Sequence, residues 1–187
     1  DAGSRDEEVS KYTVVKANSP EVKVFGLRVN RGYNLAINWW LNQSTNSQYL
    51  LLLPNDTEIN CLDLELLWES LPERIKVAAI VPLSVTDPYN AILPSQGVGL
   101  GWNFNEGPIV LSREFIEFMV SCGCEVFDSK NFRSYLSFVE IALKAYANDY
   151  ALVATRHISF IENESHLEKH YDLIATEESN KNAELLI

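Results

Sequence analysis

Asp56 is the residue of this sequence whose type and setting most directly suggest chemistry. It closes the segment YLLLLPND at 49–56, where a solid apolar run leads straight into Pro54, Asn55 and Asp56. A carboxylate at the end of a buried strand can hold a hard cation such as Mg²⁺ or Mn²⁺, which in turn grips a diphosphate. The same four residues, Pro54 to Thr57, are also ordinary turn chemistry. A second polar cluster, Asn30-Arg31-Gly32, follows another apolar stretch. The histidines, His157, His166 and His170, read as surface or strand residues. Cys122 and Cys124 are spaced C-x-C, Cys61 is distant, and no further cysteine or nearby histidine completes a zinc pattern. The three read as reduced, mostly buried thiols of a cytosolic type of protein. Neither G-x-G-x-x-G nor a P-loop is present, which speaks against an unrelated dinucleotide- or nucleotide-binding domain.

The elements that must position these groups come from a chain of 187 residues, a length that favours one domain. Hydrophobic residues make up 47% and charged residues 22%, enough apolar content for a real core. Fifteen Lys and Arg against 26 Asp and Glu leave a net charge of -11. That argues against a basic phosphate-reading face for nucleic acid and against a polybasic membrane patch. It leaves room for an anionic nucleotide held through backbone N–H groups or a bridging cation. No apolar run approaches the ~20 residues of a membrane span.

Residues 7–15 can open a short helix, and VKVFGLRV at 22–29 reads as a strand. YNLAINWWLNQ at 33–43 carries a wide apolar face at helical spacing, and Tyr49 to Leu53 is short enough for a buried strand. Asp63 to Arg74 has helical periodicity, and Lys76 to Val85 is a second apolar strand. Residues 86–107, rich in Gly and Pro, form a long loop of the kind that binds ligands. Ser112 caps a helix to Val120, Phe132 to Ala147 is an amphipathic helix, and Tyr150 to Ile161 is a strand. Residues 162–187 form a charged tail or the start of a further helical segment. Strand and helix alternate through the first half, which predicts an α/β domain with a mainly parallel sheet flanked by helices. In such sheets ligands bind beyond the carboxyl ends of the strands, where both polar clusters fall.

Five blocks of the chain resemble inverting family 2 glycosyltransferases of the GT-A fold, and the rhamnosyltransferase-like members above all. DAGSRDEE at 1–8 is similar to the family's D-N-G-S-T-D motif, and NRGYNLAIN at 30–38 to its N-x-G-x-x-x-A-x-N segment. YLLLLPNDT at 49–57 resembles the strand ending in D-x-D or N-P-D-T. EGPIVLSREFIEFM at 106–119 is similar to G-x-x-x-x-x-R-x-x-F. FDSKNFRSYLSFVEIALKAYANDYALV at 127–153 is similar to F-D-E-x-F-F-x-Y-x-E-D-x-D-L-x-x-R-x-x-x-x-G-Y. The blocks occur in the family's order over residues 1–161, a partial GT-A-like domain.

The resemblance implies roles. Asp1 matches the acidic residue that hydrogen-bonds the nucleobase of the sugar nucleotide. Asn30 and Asn38 match positions flanking the helix that lines the nucleotide site, as structural support or by direct contact, and Gly32 supplies backbone freedom at the strand-to-helix turn. Asp56 matches the D-x-D carboxylate that ligates a divalent Mg or Mn ion. Trp102, in the long loop, would stack on an acceptor sugar or anchor that loop on the sheet. The implied partners are a nucleotide-sugar donor and a glycan or other hydroxyl acceptor, with no nucleic acid. The implied location is cytoplasmic, or peripheral at the inner membrane face.

The chain departs from the family at marked places. Pro54 stands where D-x-D has its first Asp. Ser137-Phe138 stands where the family has E-D, so Phe138 occupies the general-base position and cannot take a proton. Glu140 falls on the family's second acidic position and is the candidate substitute base, while Lys144 replaces an Arg. His157 falls early for the family's metal-shell histidine, Ile161 lies nearer, and His166 is the candidate substitute. The family's strand, helix and strand ahead of the D-N-G-S motif have no counterpart before Asp1, which predicts a fragment or a site that has lost a part. The reading is therefore an inverting sugar transferase, N-terminally incomplete. The alternative is a degenerate GT-A-like domain that binds a nucleotide, glycan or protein partner.

Overall fold

A computed structural model describes residues 33–43, 46–54, 57–85, 98–101, 107–132 and 137–162, together with positions 19, 180, 181 and 184. Helix α1, Tyr33–Gln43, buries Asn34, Ile37, Asn38 and Leu41, a single stripe at helical spacing. Strand β1, Tyr49–Leu52, alternates: Leu50 and Leu52 are buried and Leu51 is exposed. β2 covers Thr57–Leu62. Helix α2, Leu64–Ser70, starts at Asp63, whose carboxylate accepts from Leu66 N–H at 3.1 Å. It stops short of the expected Arg74 because Leu71 precedes Pro72, and the proline ring drives Leu71 into an extended conformation with ψ 134°.

β3, Lys76–Ser84, is buried almost continuously from Val77, and β4, Val98–Leu100, forms a short strand inside the expected long loop. β5 is Ile109–Ser112. Helix α3, Arg113–Ser121, is capped by Ser112, whose Oγ accepts from Phe115 N–H at 3.2 Å, with Glu114 in the first turn. Helix α4 is Ser137–Tyr146, and β6 is the long strand Tyr150–Glu162. The expected strand at 22–29 and helix at 7–15 lie outside the described residues.

The fold is α/β, but the sheet is mixed rather than mainly parallel. Its order is β1-β5-β3-β6-β2, with β4 also on β6. Among the described strands only β3 and β6 pair in parallel; β1 with β5, β5 with β3, β2 with β6 and β4 with β6 are antiparallel. A crossover containing α3 and α4 separates β3 from β6, long enough to return the chain parallel. β5 instead enters between β1 and β3 running the opposite way. β1 and β3 thus share a direction with β6, and their carboxyl ends lie at one end of the sheet.

α1, α3 and α4 pack on one face of the sheet, where Ile37, Phe115, Ile141 and Ala145 meet Leu50, Leu52, Leu111 and Leu152. α2 covers part of the other, with Leu67 against Val77, Ile80, Val110 and Val153. Its outer strand β1 has no partner on its second edge among the described residues, and Leu51 and Leu53 are exposed beside that edge. The cysteines are not buried as expected: all three are exposed free thiols. Cys61 lies on β2, most of whose residues are exposed, and Cys122 and Cys124 follow the last turn of α3. No described helix is long and apolar enough to cross a membrane.

Candidate functional site

The carboxyl end of β1 leads into Leu53 and Pro54, and Thr57 N–H donates back to the Pro54 carbonyl at 3.4 Å. Asn55 and Asp56, between them, lie outside the described residues. Next in sequence, the Thr57 hydroxyl is buried and has no hydrogen-bond partner among the described residues. An orphaned buried hydroxyl is costly unless something satisfies it. At the same end of the sheet β3 finishes at the buried Ser84, which pairs with Phe160, next to the buried Ser159 of β6.

α1 and α4 meet through a polar seam that the sequence reading only half anticipated. Asn38, expected to support or touch a nucleotide, is buried, and its amide is wholly engaged with backbone: Nδ2 donates to the Phe127 carbonyl and Oδ1 accepts from Phe127 N–H at 3.1 Å. One turn earlier the buried Asn34 donates to the Phe132 carbonyl at 2.8 Å and accepts from Ser137 Oγ at 3.0 Å. Asn34 and Ser137 were not singled out in the sequence. The signal was there in the i, i+4 spacing of Asn34 and Asn38 on the same stripe as Ile37 and Leu41.

Glu140 closes the seam from α4. It is 5% exposed. One carboxylate oxygen is ion-paired with Lys144, and the other accepts from Asp128 N–H at 3.1 Å. Burial pushes its carboxyl above the usual range, and the contacts from Lys144 and Asp128 N–H only partly oppose that shift. Lys144 also donates to the Glu125 and Val126 carbonyls at 2.9 and 3.2 Å. Burial alone would raise the neighbouring Asp128, but hydrogen bonds from Asn131 and Lys130 outweigh it and hold that carboxyl below its ordinary value. Phe138 is 1% exposed and packs its ring 6.0 Å from that of Phe127.

Asp1, Asn30, Gly32, Asp56, Trp102, His166 and His170 lie outside the described residues. His157 is described and serves as a latch between β6 and α2: its Nε2 lies 3.2 Å from Ser70 Oγ, and its carbonyl accepts from Asp63 N–H at 2.7 Å. Among the described residues, no group of three or more His, Cys, Asp or Glu side chains is arranged to hold a metal ion. A cleft of about 650 Å³, lined by residues such as Gln48, Tyr49, Lys76 and Arg113, opens at the amino ends of β1 and β3. It contains none of the residues expected in the site.

Compared with known proteins, the chain matches no family model, no curated protein and no solved structure.

Proposed function

We propose that this chain is a GT-A-like domain that binds a nucleotide-sugar donor through its diphosphate. The observation that carries the reading is the buried Thr57 hydroxyl at the start of β2, which has no hydrogen-bond partner among the described residues and adjoins Asp56 in sequence. A site with a carboxylate and an unpaired hydroxyl oxygen suits a hard divalent cation such as Mg²⁺ or Mn²⁺. Asp56, with Thr57 beside it, would hold the ion. Bound there, the cation would supply charge stabilisation for a departing nucleoside diphosphate. The reaction implied by the resemblance is inverting transfer of the sugar to a hydroxyl of a glycan or other acceptor, which needs a general base.

A second reading, binding without turnover, is favoured by the state of α4. Phe138 is in the core, and both oxygens of Glu140 are committed to Lys144 and Asp128 N–H. A carboxylate so engaged anchors the 125–128 segment and has little freedom to accept an acceptor proton. Donor hydrolysis and donor binding, each measured with and without Mn²⁺, separate the readings. Mn²⁺-dependent hydrolysis supports the transferase. Mn²⁺-dependent binding with no hydrolysis supports the binding domain. The absence of both overturns the nucleotide-sugar proposal.

A further inference from the structure

The end of α3 carries two exposed thiols on either side of one glycine. Cys122 is the last residue in helical conformation, with φ −79° and ψ −1°, and its N–H donates to the Phe118 carbonyl. Gly123 then turns left-handed at φ 73°, and its N–H donates to Val120 O at 2.9 Å while Cys124 N–H donates to Met119 O at 3.0 Å. These bonds form the closing motif that glycine allows at a helix end. The turn folds the chain back between the two cysteines, where an extended residue would separate them. It brings their Cα atoms toward the roughly 4.4–6.8 Å span that a disulfide tolerates. Cys124 Sγ already points back, 3.8 Å from the Cys122 carbonyl oxygen. On the far side the chain is pinned again, because Lys144 holds the Glu125 and Val126 carbonyls. The backbone that carries the two cysteines is thus anchored on both flanks, and both residues are exposed to solvent.

We propose that Cys122 and Cys124 are a redox pair that closes into a mutual disulfide on reaction with a low-molecular-weight disulfide of the glutathione type. In the first step the thiolate of one cysteine attacks a sulfur of the small disulfide. The S–S bond breaks, and one small thiolate leaves. The second cysteine gives up its proton to water and attacks the protein-side sulfur of the mixed disulfide. The Cys122–Cys124 bond forms, and the other small thiolate departs. Two protein thiols are oxidised, and one small disulfide is reduced to two thiols. The second step is intramolecular, so the neighbouring thiol acts at an effective concentration that solution thiols do not match. A ring this small is strained, which makes the bond readily reducible and suits exchange better than permanent stapling.

Cys61, alone on β2, is the internal control. The reduced full-length chain is exposed to glutathione disulfide near pH 8.5, where about half of a free thiol is ionised. Remaining thiols are alkylated, and the peptides are weighed. The expected main product has the peptide with Cys122 and Cys124 lighter by two hydrogen atoms, unalkylated and free of glutathione, while the Cys61 peptide retains one glutathione. In Cys122→Ser or Cys124→Ser the surviving cysteine of the pair should retain glutathione as Cys61 does. Three results in the unmodified chain would overturn the proposal: glutathione retained on either member of the pair, both members alkylated while Cys61 has reacted, or the pair consumed in chain-to-chain disulfides.

Discussion

Asn38 grips the backbone of Phe127 from both sides, donating to its carbonyl and accepting from its N–H at 3.1 Å across 89 residues of chain. The contact is buried and joins the helix before β1 to the segment that leads toward α4. Replacing Asn38 with Ala leaves one donor and one acceptor of Phe127 unsatisfied, at about 1–3 kcal/mol for each buried group. We expect a total loss of about 2–6 kcal/mol in urea unfolding at unchanged m-value. Asn38→Asp should do no better, since it places an oxygen against the Phe127 carbonyl. A loss below about 0.5 kcal/mol, the range of an ordinary surface change, would show that water replaces the amide.

Glu140 should leave a signature in the pH dependence of stability. Burial raises its carboxyl, so the folded protein keeps this proton at pH values where the unfolded chain has released it. Its stabilising contribution is therefore full below the ordinary carboxylate range and is lost as pH rises through the raised value. Glu140→Gln removes that dependence. The stability of the variant relative to the parent should climb as pH increases through the acid range. Asp128→Asn should show the opposite trend, because the Asp128 carboxyl is lowered and its contribution is lost as pH falls. Urea midpoints across a pH series would check both. A difference for Glu140→Gln that falls with pH would mean that Lys144, not burial, sets its proton affinity.

Gly101 is enclosed by β6. An added Cβ would lie 2.9 Å from Ala154 N and 3.0 Å from Ala154 Cβ, and the first of these is backbone. Gly101 N–H also donates to Leu152 O at 2.8 Å, and Tyr146 OH donates to Gly101 O, so the loop cannot back away cheaply. Gly101→Ala should cost about 1–3 kcal/mol, as overpacking does. Thermal unfolding would show it as a clear drop in Tm. An unchanged Tm would show that β4 can shift off β6 without penalty.

Asp56→Ala should abolish Mn²⁺-dependent binding of a nucleoside diphosphate and leave the unfolding transition within about 0.5 kcal/mol of the parent. Titration calorimetry with and without Mn²⁺ reads the first effect and urea unfolding the second. Equal affinity in variant and parent would make Asp56 a turn residue only.

Much of the secondary structure was legible along the chain because its causes are local. The stripe at Ile37 and Leu41, the cap at Ser112 and the apolar run before Pro54 each act within a turn or two of their own residues. The direction of the strands was not. YLLL in β1 and IVLS in β5 are equally apolar whichever way a neighbour runs, and only the tertiary pairing shows β5 antiparallel to both flanking strands. β2 was likewise hidden. TEINCL is mostly exposed, and pairing with β6 makes it a strand. The cysteines show the same limit: composition speaks for burial of a free thiol, but an edge strand and a helix end put all three in solvent.

Among the site residues, sequence alone determined that position 138 is Phe and therefore no proton acceptor, and that Asp56 follows the apolar run of β1. Tertiary structure decided what Asn38 and Glu140 bond to. A polar side chain on an amphipathic helix can face water, ligand or backbone, and periodicity does not distinguish the last two. The choice depends on what packs opposite. Here the 125–132 segment presents unpaired N–H and carbonyl groups, which must be satisfied once buried, and Asn34, Asn38, Glu140 and Lys144 are the side chains that reach them.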